Sequence, residues 1–263
     1  MPEWLKYLLE LTAHEMKQPP MFGGFHIAAA VLAVLIPYFL ARKFPAGSRA
    51  QAVRRLSVCG WILVLMEIYK QLFLYAIVND MQYNFWYFPF QLCSIAMYLC
   101  ILLPVLSRSL QNTVLTFLFD FSLPGALLAL VFPEDFLRTY VSLTLHGFVW
   151  HGMLVYIALT VWYSGLFRYS WQAYFRAAGL YLVLAGCAIG LNVLLQPHAE
   201  PGAQPNLFYL SPYMKTGQFF FRDIAERFGI LPEMVIYVSL YLLLCAVFHA
   251  LARKCLSGSK QIY

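Results

Sequence analysis

Three kinds of residue in this chain could carry group-transfer chemistry: the thiol of Cys93, the imidazoles of His146 and His151, and the ionic pair Glu67 and Lys70. A cysteine is a nucleophile as its thiolate, and a base within reach supplies that state. Cys93 follows the run Phe88-Pro89-Phe90-Gln91-Leu92 at the start of an apolar segment, where a thiol can meet both lipid and water. Glu67 and Lys70 stand three residues apart, a spacing that puts them on one helical face and close enough to pair. They read either as a self-neutralising structural pair or as the wall of a site that orients a polar head group. His146 and His151 are separated by roughly 140° around a helix, at about 100° per residue. They do not easily face one ligand, and a zinc site needs three or four converging ligands. Neither a metal nor a cofactor is expected. The six cysteines, Cys59, Cys93, Cys100, Cys187, Cys245 and Cys255, include no CxxC pair, so they form neither a zinc motif nor a disulfide framework.

The elements that must position these groups follow from composition. Of 263 residues, 62% are hydrophobic and 11% charged, with a mean hydropathy of +0.67. A soluble domain is about 45–50% apolar and about 25% charged. A soluble enzyme, a disordered chain and a disulfide-stapled secreted domain are therefore excluded. The apolar runs are continuous, unlike the alternation of a membrane β-barrel. Seven runs have spanning length: roughly Gly24 to Ala41, Val58 to Val78, Phe88 to Leu106, Thr113 to Phe132, Val141 to Trp162, Ala177 to Gln196 and Met234 to Ala252. The expectation is an all-α, polytopic, multi-pass membrane protein of seven transmembrane helices, forming one domain over residues 1–263. Residues 1–20 read as an amphipathic surface helix, with Trp4, Leu5, Leu8, Leu9 and Leu11 at helical spacing. The long loop over 197–232 breaks at Pro197, Pro201, Gly202 and Pro205 and ends in a second surface helix, from Phe219 to Gly229. No removable leader is apparent.

Charge then orients the chain. One set of connections holds eleven basic residues (Arg42, Lys43, Arg49, Arg54, Arg55, Arg108, Arg168, Arg176, Arg253, Lys254 and Lys260) and no acidic one. The opposite set holds six basic and ten acidic residues. Lys/Arg excess marks the cytoplasmic side, so the N-terminus and long loop face out and the C-terminus faces in. The net charge of +6 is thus a topology signal, with no nucleic-acid partner implied. Charges inside lipid cost about 2.5–3.5 kcal/mol near mid-membrane, which makes Glu67, Lys70 and Asp120 conspicuous. Glu67, Lys70, Cys93, His146 and Asn192 fall in the outer half, as though lining an outward cavity closed by the long loop. Asp120 lies in the inner half, four residues before Pro124-Gly125, where it could cap backbone freed by the break.

Several of these residues also carry a resemblance. The run Phe88-Pro89-Phe90-Gln91-Leu92-Cys93 is similar to the Phe/Leu-Pro-x-Gln/His-Leu-Cys signature of the YwaF family, which includes transmembrane protein 164. Phe119 to Pro133, with Pro124-Gly125-Ala126 inside, resembles that family's Pro-Gly-Ala-containing span. Trp150-His151-Gly152-Met153-Leu154 resembles its His-Gly element. Asn192, with Asn206-Leu207-Phe208-Tyr209-Leu210 and Pro212, resembles its paired-Asn element, though Leu207 stands where Tyr is usual. The similarity runs from about Cys59 to Leu244. It implies a membrane acyltransferase that moves a fatty acyl chain between glycerophospholipid and lysophospholipid through a thioester. Cys93 is then the nucleophile and His151 the base, with His146 as competitor: its depth matches Cys93, while the motif favours His151. Lys70 or Asn192 would stabilise the oxyanion, Glu67 would orient His151 or pair with Lys70, and Gln91 and Asn206 join them as substrate-binding or orienting positions. The rival readings are a non-enzymatic transporter or lipid-binding protein, a seven-helix receptor, and a Cys-dependent lipid hydrolase differing only in its acceptor.

The orientation makes a prediction. A glycosylation acceptor engineered into the 197–232 loop is expected to be modified, and one placed after Arg253 is not. The opposite pattern would overturn the charge argument.

Overall fold

The computed structural model describes residues 1–166, 169–218 and 220–259. Arg168 and Lys260, counted above among the basic connections, and Phe219, placed in the second surface helix, lie outside the described residues. Ten α-helices are described: α1 (Glu3–Glu10), α2 (Gly24–Lys43), α3 (Arg49–Phe73), α4 (Leu92–Leu102), α5 (Arg108–Asp120), α6 (Ser122–Val131), α7 (Val141–Tyr163), α8 (Trp171–Leu195), α9 (Phe221–Phe228) and α10 (Ile230–Ser259). The only β pairing among the described residues is an isolated antiparallel bridge between Glu15 and Tyr140.

Six helical stretches are long and apolar enough to cross a membrane: Gly24–Lys43, Arg49–Val78, Arg108–Val131, Val141–Tyr163, Trp171–His198 and Ile230–Cys255. The seventh stretch is shorter. Where the hydropathy pattern predicts a span from Phe88 to Leu106, the helix occupies only Leu92–Val105. The cause is local. Pro89 has no amide hydrogen and disfavours helical geometry in the residue before it. Phe88 is accordingly extended, at φ −52° and ψ 132°, after a separate 3-10 turn over Phe85–Tyr87 that the Asn84 side chain caps. The chain enters α4 only at Leu92.

Burial separates centre from periphery. The stretches Arg108–Val131 and Val141–Tyr163 bury 72% and 67% of their apolar windows, against 17–28% for the other four long stretches. The α5–α6 pair and α7 therefore form the middle of the bundle, and α2, α3, α8 and α10 pack around them with one face toward lipid. The central stretch is interrupted at Phe121, between α5 and α6 and three residues ahead of Pro124. The Tyr241 hydroxyl of α10 donates to the Phe121 carbonyl there, at 2.6 Å, so a partner helix satisfies the break. Asp120 does something else. Its carboxylate meets His249 Nδ1 at 2.7 Å, both side chains fully buried, among the rings of Trp171 and Tyr174.

Loop contacts define the two ends. At one end the N-terminal segment, residues 79–91, residues 132–140 and the long loop meet: Met16 N donates to Thr139 O at 2.7 Å, Gln18 Nε2 to Leu137 O at 2.8 Å, and Phe85 N to Ala203 O at 3.0 Å. At the other end Arg49 donates to Gln111 and Asn112, and Arg176 to Ser109. The exposed acidic side chains among the described residues sit at the first end, and the second is a basic end. The two surface helices expected from sequence are α1 and α9, both at the first end. In α1, Leu9 is tucked against Phe73, Leu74, Ala76 and Leu143, while Trp4, Tyr7, Leu8 and Leu11 stay exposed. That is the arrangement of a helix lying in an interface.

Gly147 on α7 lets the 132–140 loop close onto the bundle. A Cβ there would stand 2.4 Å from Phe136 Cβ. Gly147→Ala is expected to cost about 1–3 kcal/mol through overpacking. Gly179→Ala, at a site with nothing within 4 Å, should be neutral or mildly stabilising. Thermal midpoints of the two variants in detergent check this.

Candidate functional site

Cys93 is the second residue of α4. Its position in the first turn has two physical consequences. The amides of Leu92 and Cys93 have no acceptor within the helix, and the positive end of the helix dipole lies beside the thiol, where it favours an anion. The side chain is half-buried. Lys70, Glu67 and Asp135 are the charged groups close enough to act on it electrostatically.

The expected ion pair exists. Lys70 Nζ and Glu67 Oε2 are 2.8 Å apart on α3, and Glu67 is buried. Gln71 Nε2 donates to Glu67 Oε1 at 2.7 Å and to the Tyr87 carbonyl at 2.5 Å. One side chain thus ties the ion pair to the irregular segment that leads into α4. Below this point α3 ends in a π-helical stretch, Leu74–Val78, a distortion that is frequent at functional sites.

Trp150 of α7 joins the pieces. Its indole Nε1 donates to the Cys93 carbonyl at 3.4 Å. Its ring lies 5.8 Å from Lys70 Nζ and stacks on His146 at 5.6 Å between centroids. His146 Nε2 is 3.0 Å from the Met66 carbonyl. A carbonyl only accepts, so Nε2 carries the hydrogen and Nδ1 keeps a lone pair. His151 points elsewhere on α7, as the angular separation requires. Its Nδ1 is 2.8 Å from the Gly147 carbonyl, which assigns the hydrogen to Nδ1 and leaves Nε2 basic. The ring is buried and stacks on Phe136 at 4.8 Å, with Asp135 and Lys70 acting on it electrostatically. No hydrogen bond joins the Cys93 thiol to either imidazole among the described residues. Nor do three or more His, Cys, Asp or Glu side chains there converge on a point that could hold a metal ion.

The three amides from the sequence reading come together around the long loop. Asn192 Oδ1 accepts from Leu207 N at 2.8 Å, and its Nδ2 donates to Leu207 O at 3.1 Å. Gln91 Oε1 accepts from Phe208 N at 2.9 Å, and its Nε2 donates to Asn206 O at 3.2 Å. Asn206 Oδ1 accepts from Ser211 N at 3.0 Å. Phe208 and Tyr209 both have φ near +58°, a left-handed geometry that bulky residues reach only when the surroundings impose it. Gln91, at the N-cap position of α4, thereby fastens the loop over the helix start. Phe208 packs on Phe90, and the Tyr209 hydroxyl donates to Asp135. Burial and the neighbouring Asp135 charge raise the Tyr209 pKa well above the ordinary phenol value, so the phenol stays a donor.

Trp150, Asp135, Gln71 and Tyr209 were not chosen as site residues from sequence. Trp150 and Tyr209 lie within motif runs quoted above, and only their neighbours drew attention. Asp135 sits in a connection and Gln71 one position beyond an ion pair, with no spacing signal.

Comparison with protein families matches residues 16–252 to the TMEM164 family. No curated protein and no solved structure matches the chain.

Because Asn192 satisfies both backbone groups of a buried residue, Asn192→Leu leaves a donor and an acceptor orphaned, at about 1–3 kcal/mol each. Hydrogen exchange at the Leu207 amide is expected to accelerate by about tenfold or more, with proteolysis of the 197–229 segment rising in parallel. Unchanged exchange would contradict the clamp.

Proposed function

We propose that this chain, which belongs to the TMEM164 family, is a membrane enzyme that transfers a fatty acyl chain from a glycerophospholipid to a lysophospholipid through a thioester on Cys93. The observation that carries this reading is the seat of Cys93 in the first turn of α4, beneath the clamped loop and within electrostatic reach of Lys70. The positive end of α4 and the Lys70 ammonium are the groups on hand there to meet negative charge as it develops.

The chemistry runs in two balanced halves. The thiolate attacks the ester carbonyl of the donor lipid, the carbon–oxygen bond breaks, and the departing lysophospholipid alkoxide takes a proton from an imidazolium. The hydroxyl of the acceptor lysophospholipid then attacks the thioester carbonyl. Its proton passes to the imidazole, and the thiolate leaves. His151 is the base, with its Nε2 lone pair left open by the Gly147 bond and with Asp135 near enough to stabilise the imidazolium. The first-turn amides of α4 and Lys70 serve the oxyanion, the strongest single contribution in acyl transfer. Trp150 holds the α4 backbone and Lys70 in register, and Glu67 fixes the ammonium. Both amide groups of Asn192 are spent on Leu207, which makes it a clamp residue in this reading.

Purified protein with an acyl-labelled phospholipid and an unlabelled lysophospholipid tests the proposal. Cys93→Ala is expected to lose transfer by at least about 10³-fold, Lys70→Met by about 10–100-fold, and His151→Ala by more than His146→Ala. Full transfer in Cys93→Ala sinks the mechanism. Label appearing as free fatty acid, with none on the lysophospholipid, would assign a hydrolase.

A further inference from the structure

A second polar site lies at the opposite, basic end of the bundle, remote from Cys93. Between α5 and α8 there is a cavity of about 160 Å³ lined by Asn112, Thr113, Ser170, Gln172, Ala173 and Arg176. We propose that this cleft binds the phosphodiester of an anionic phospholipid head group.

The lining is a set of donors around one guanidinium. Arg176 is exposed, and its recorded bond is a long one, from Nη1 to Ser109 Oγ at 3.4 Å. The rest of its planar fork matches the bidentate geometry of a phosphate. Asn112 Oδ1 accepts from Arg49 Nη2 at 3.0 Å. That contact fixes the orientation of the amide and leaves its Nδ2 as a donor. Ser170 Oγ accepts from Ala173 N at 3.2 Å and keeps its hydroxyl hydrogen to donate, Gln172 is exposed at the rim, and the Thr113 hydroxyl spends its hydrogen on the Ser109 carbonyl at 3.3 Å. Arg176 is the one charged side chain in the lining, and the Arg49 guanidinium stands behind Asn112, so the cleft is set to receive an anion.

Two further observations point to a lipid with a net negative charge. No exposed Asp or Glu lies at this end among the described residues. Among the described residues the one acidic side chain in this half, Asp120, is fully buried against His249. A zwitterionic head group would find nothing for its ammonium, whereas phosphatidylglycerol leaves no cation to satisfy. Beside the cleft on α8, Trp171 and Phe175 are exposed at 39% and 65%, an apolar surface along which the glycerol and upper acyl chains of the same molecule would lie.

The test is native mass spectrometry of the full chain released from nanodiscs of mixed phosphatidylglycerol and phosphatidylcholine. Wild type is expected to retain phosphatidylglycerol preferentially, and Arg176→Gln to weaken that retention about tenfold, the worth of one charge-assisted contact. Gln172→Leu, which removes a rim donor, should weaken it by a smaller step. Arg54→Gln removes a charge of the same sign at the same end, away from the cleft, and should leave retention unchanged. Inorganic phosphate is added in a separate arm: displacement of the lipid means the phosphate group alone is recognised, and persistence means the whole lipid is required. Equal retention of the two lipids, or an Arg54→Gln loss as large as that of Arg176→Gln, overturns the proposal in favour of diffuse surface attraction.

Discussion

A backbone that abandons helical geometry within a membrane protein has no water to repair its hydrogen bonds, so protein groups must supply every partner. The start of α4 imposes this constraint. Pro89 keeps the chain extended until Leu92, and the polar side chains nearby are spent on the result. Gln71 meets the Tyr87 carbonyl, Tyr98 the Pro89 carbonyl, Trp150 the Cys93 carbonyl, and Gln91 the backbone on both sides of Leu207. The same side chains hold Glu67, Lys70 and the loop. Structural satisfaction and site assembly are therefore one network.

That network explains why charge is tolerated near Cys93. Lys70 does not stand alone in apolar surroundings, because Glu67 neutralises it and the Trp150 face lies against it. Breaking one partner of such a pair exposes the other to the full desolvation penalty. The second buried pair, Asp120 with His249, is built on the same rule but between helices, and it anchors α10 to the centre of the bundle where α5 gives way to α6. Three histidines here have their tautomers set by a carbonyl: His26 by Leu130, His146 by Met66 and His151 by Gly147.

Much of this was legible in the sequence, and the reason is that the signals are local. Six apolar stretches, two amphipathic surface helices, the Glu67–Lys70 pair and the divergence of His146 from His151 all follow from periodicity over a few turns. What was not legible depends on distant contacts or on backbone geometry. Phe88 reads as the start of a span because hydropathy is blind to the effect of Pro89. Asp120 reads as a local cap because its partner lies 129 positions away. Asp135 carries no pattern, and gains meaning only when the Asn206–Tyr209 turn is folded onto it. Asn192 and Gln91 were recognised as important polar positions, and the structure adds that each spends its side chain on loop backbone.

The shortness of α4 also bears on the bilayer itself. At about 1.5 Å per residue, Leu92–Val105 extends about 21 Å, whereas a hydrocarbon core is about 30 Å thick. Tyr98, Leu102 and Val105 form an exposed stripe on this helix, so lipid must adapt to it along that side of the molecule. A bilayer accommodates a short hydrophobic segment by thinning locally. Lipids bordering α4 are then drawn inward along the membrane normal, and their ester groups approach the depth of Cys93 without leaving the leaflet. On the proposed acyl-transfer reading, hydrophobic mismatch thus becomes a property of the site.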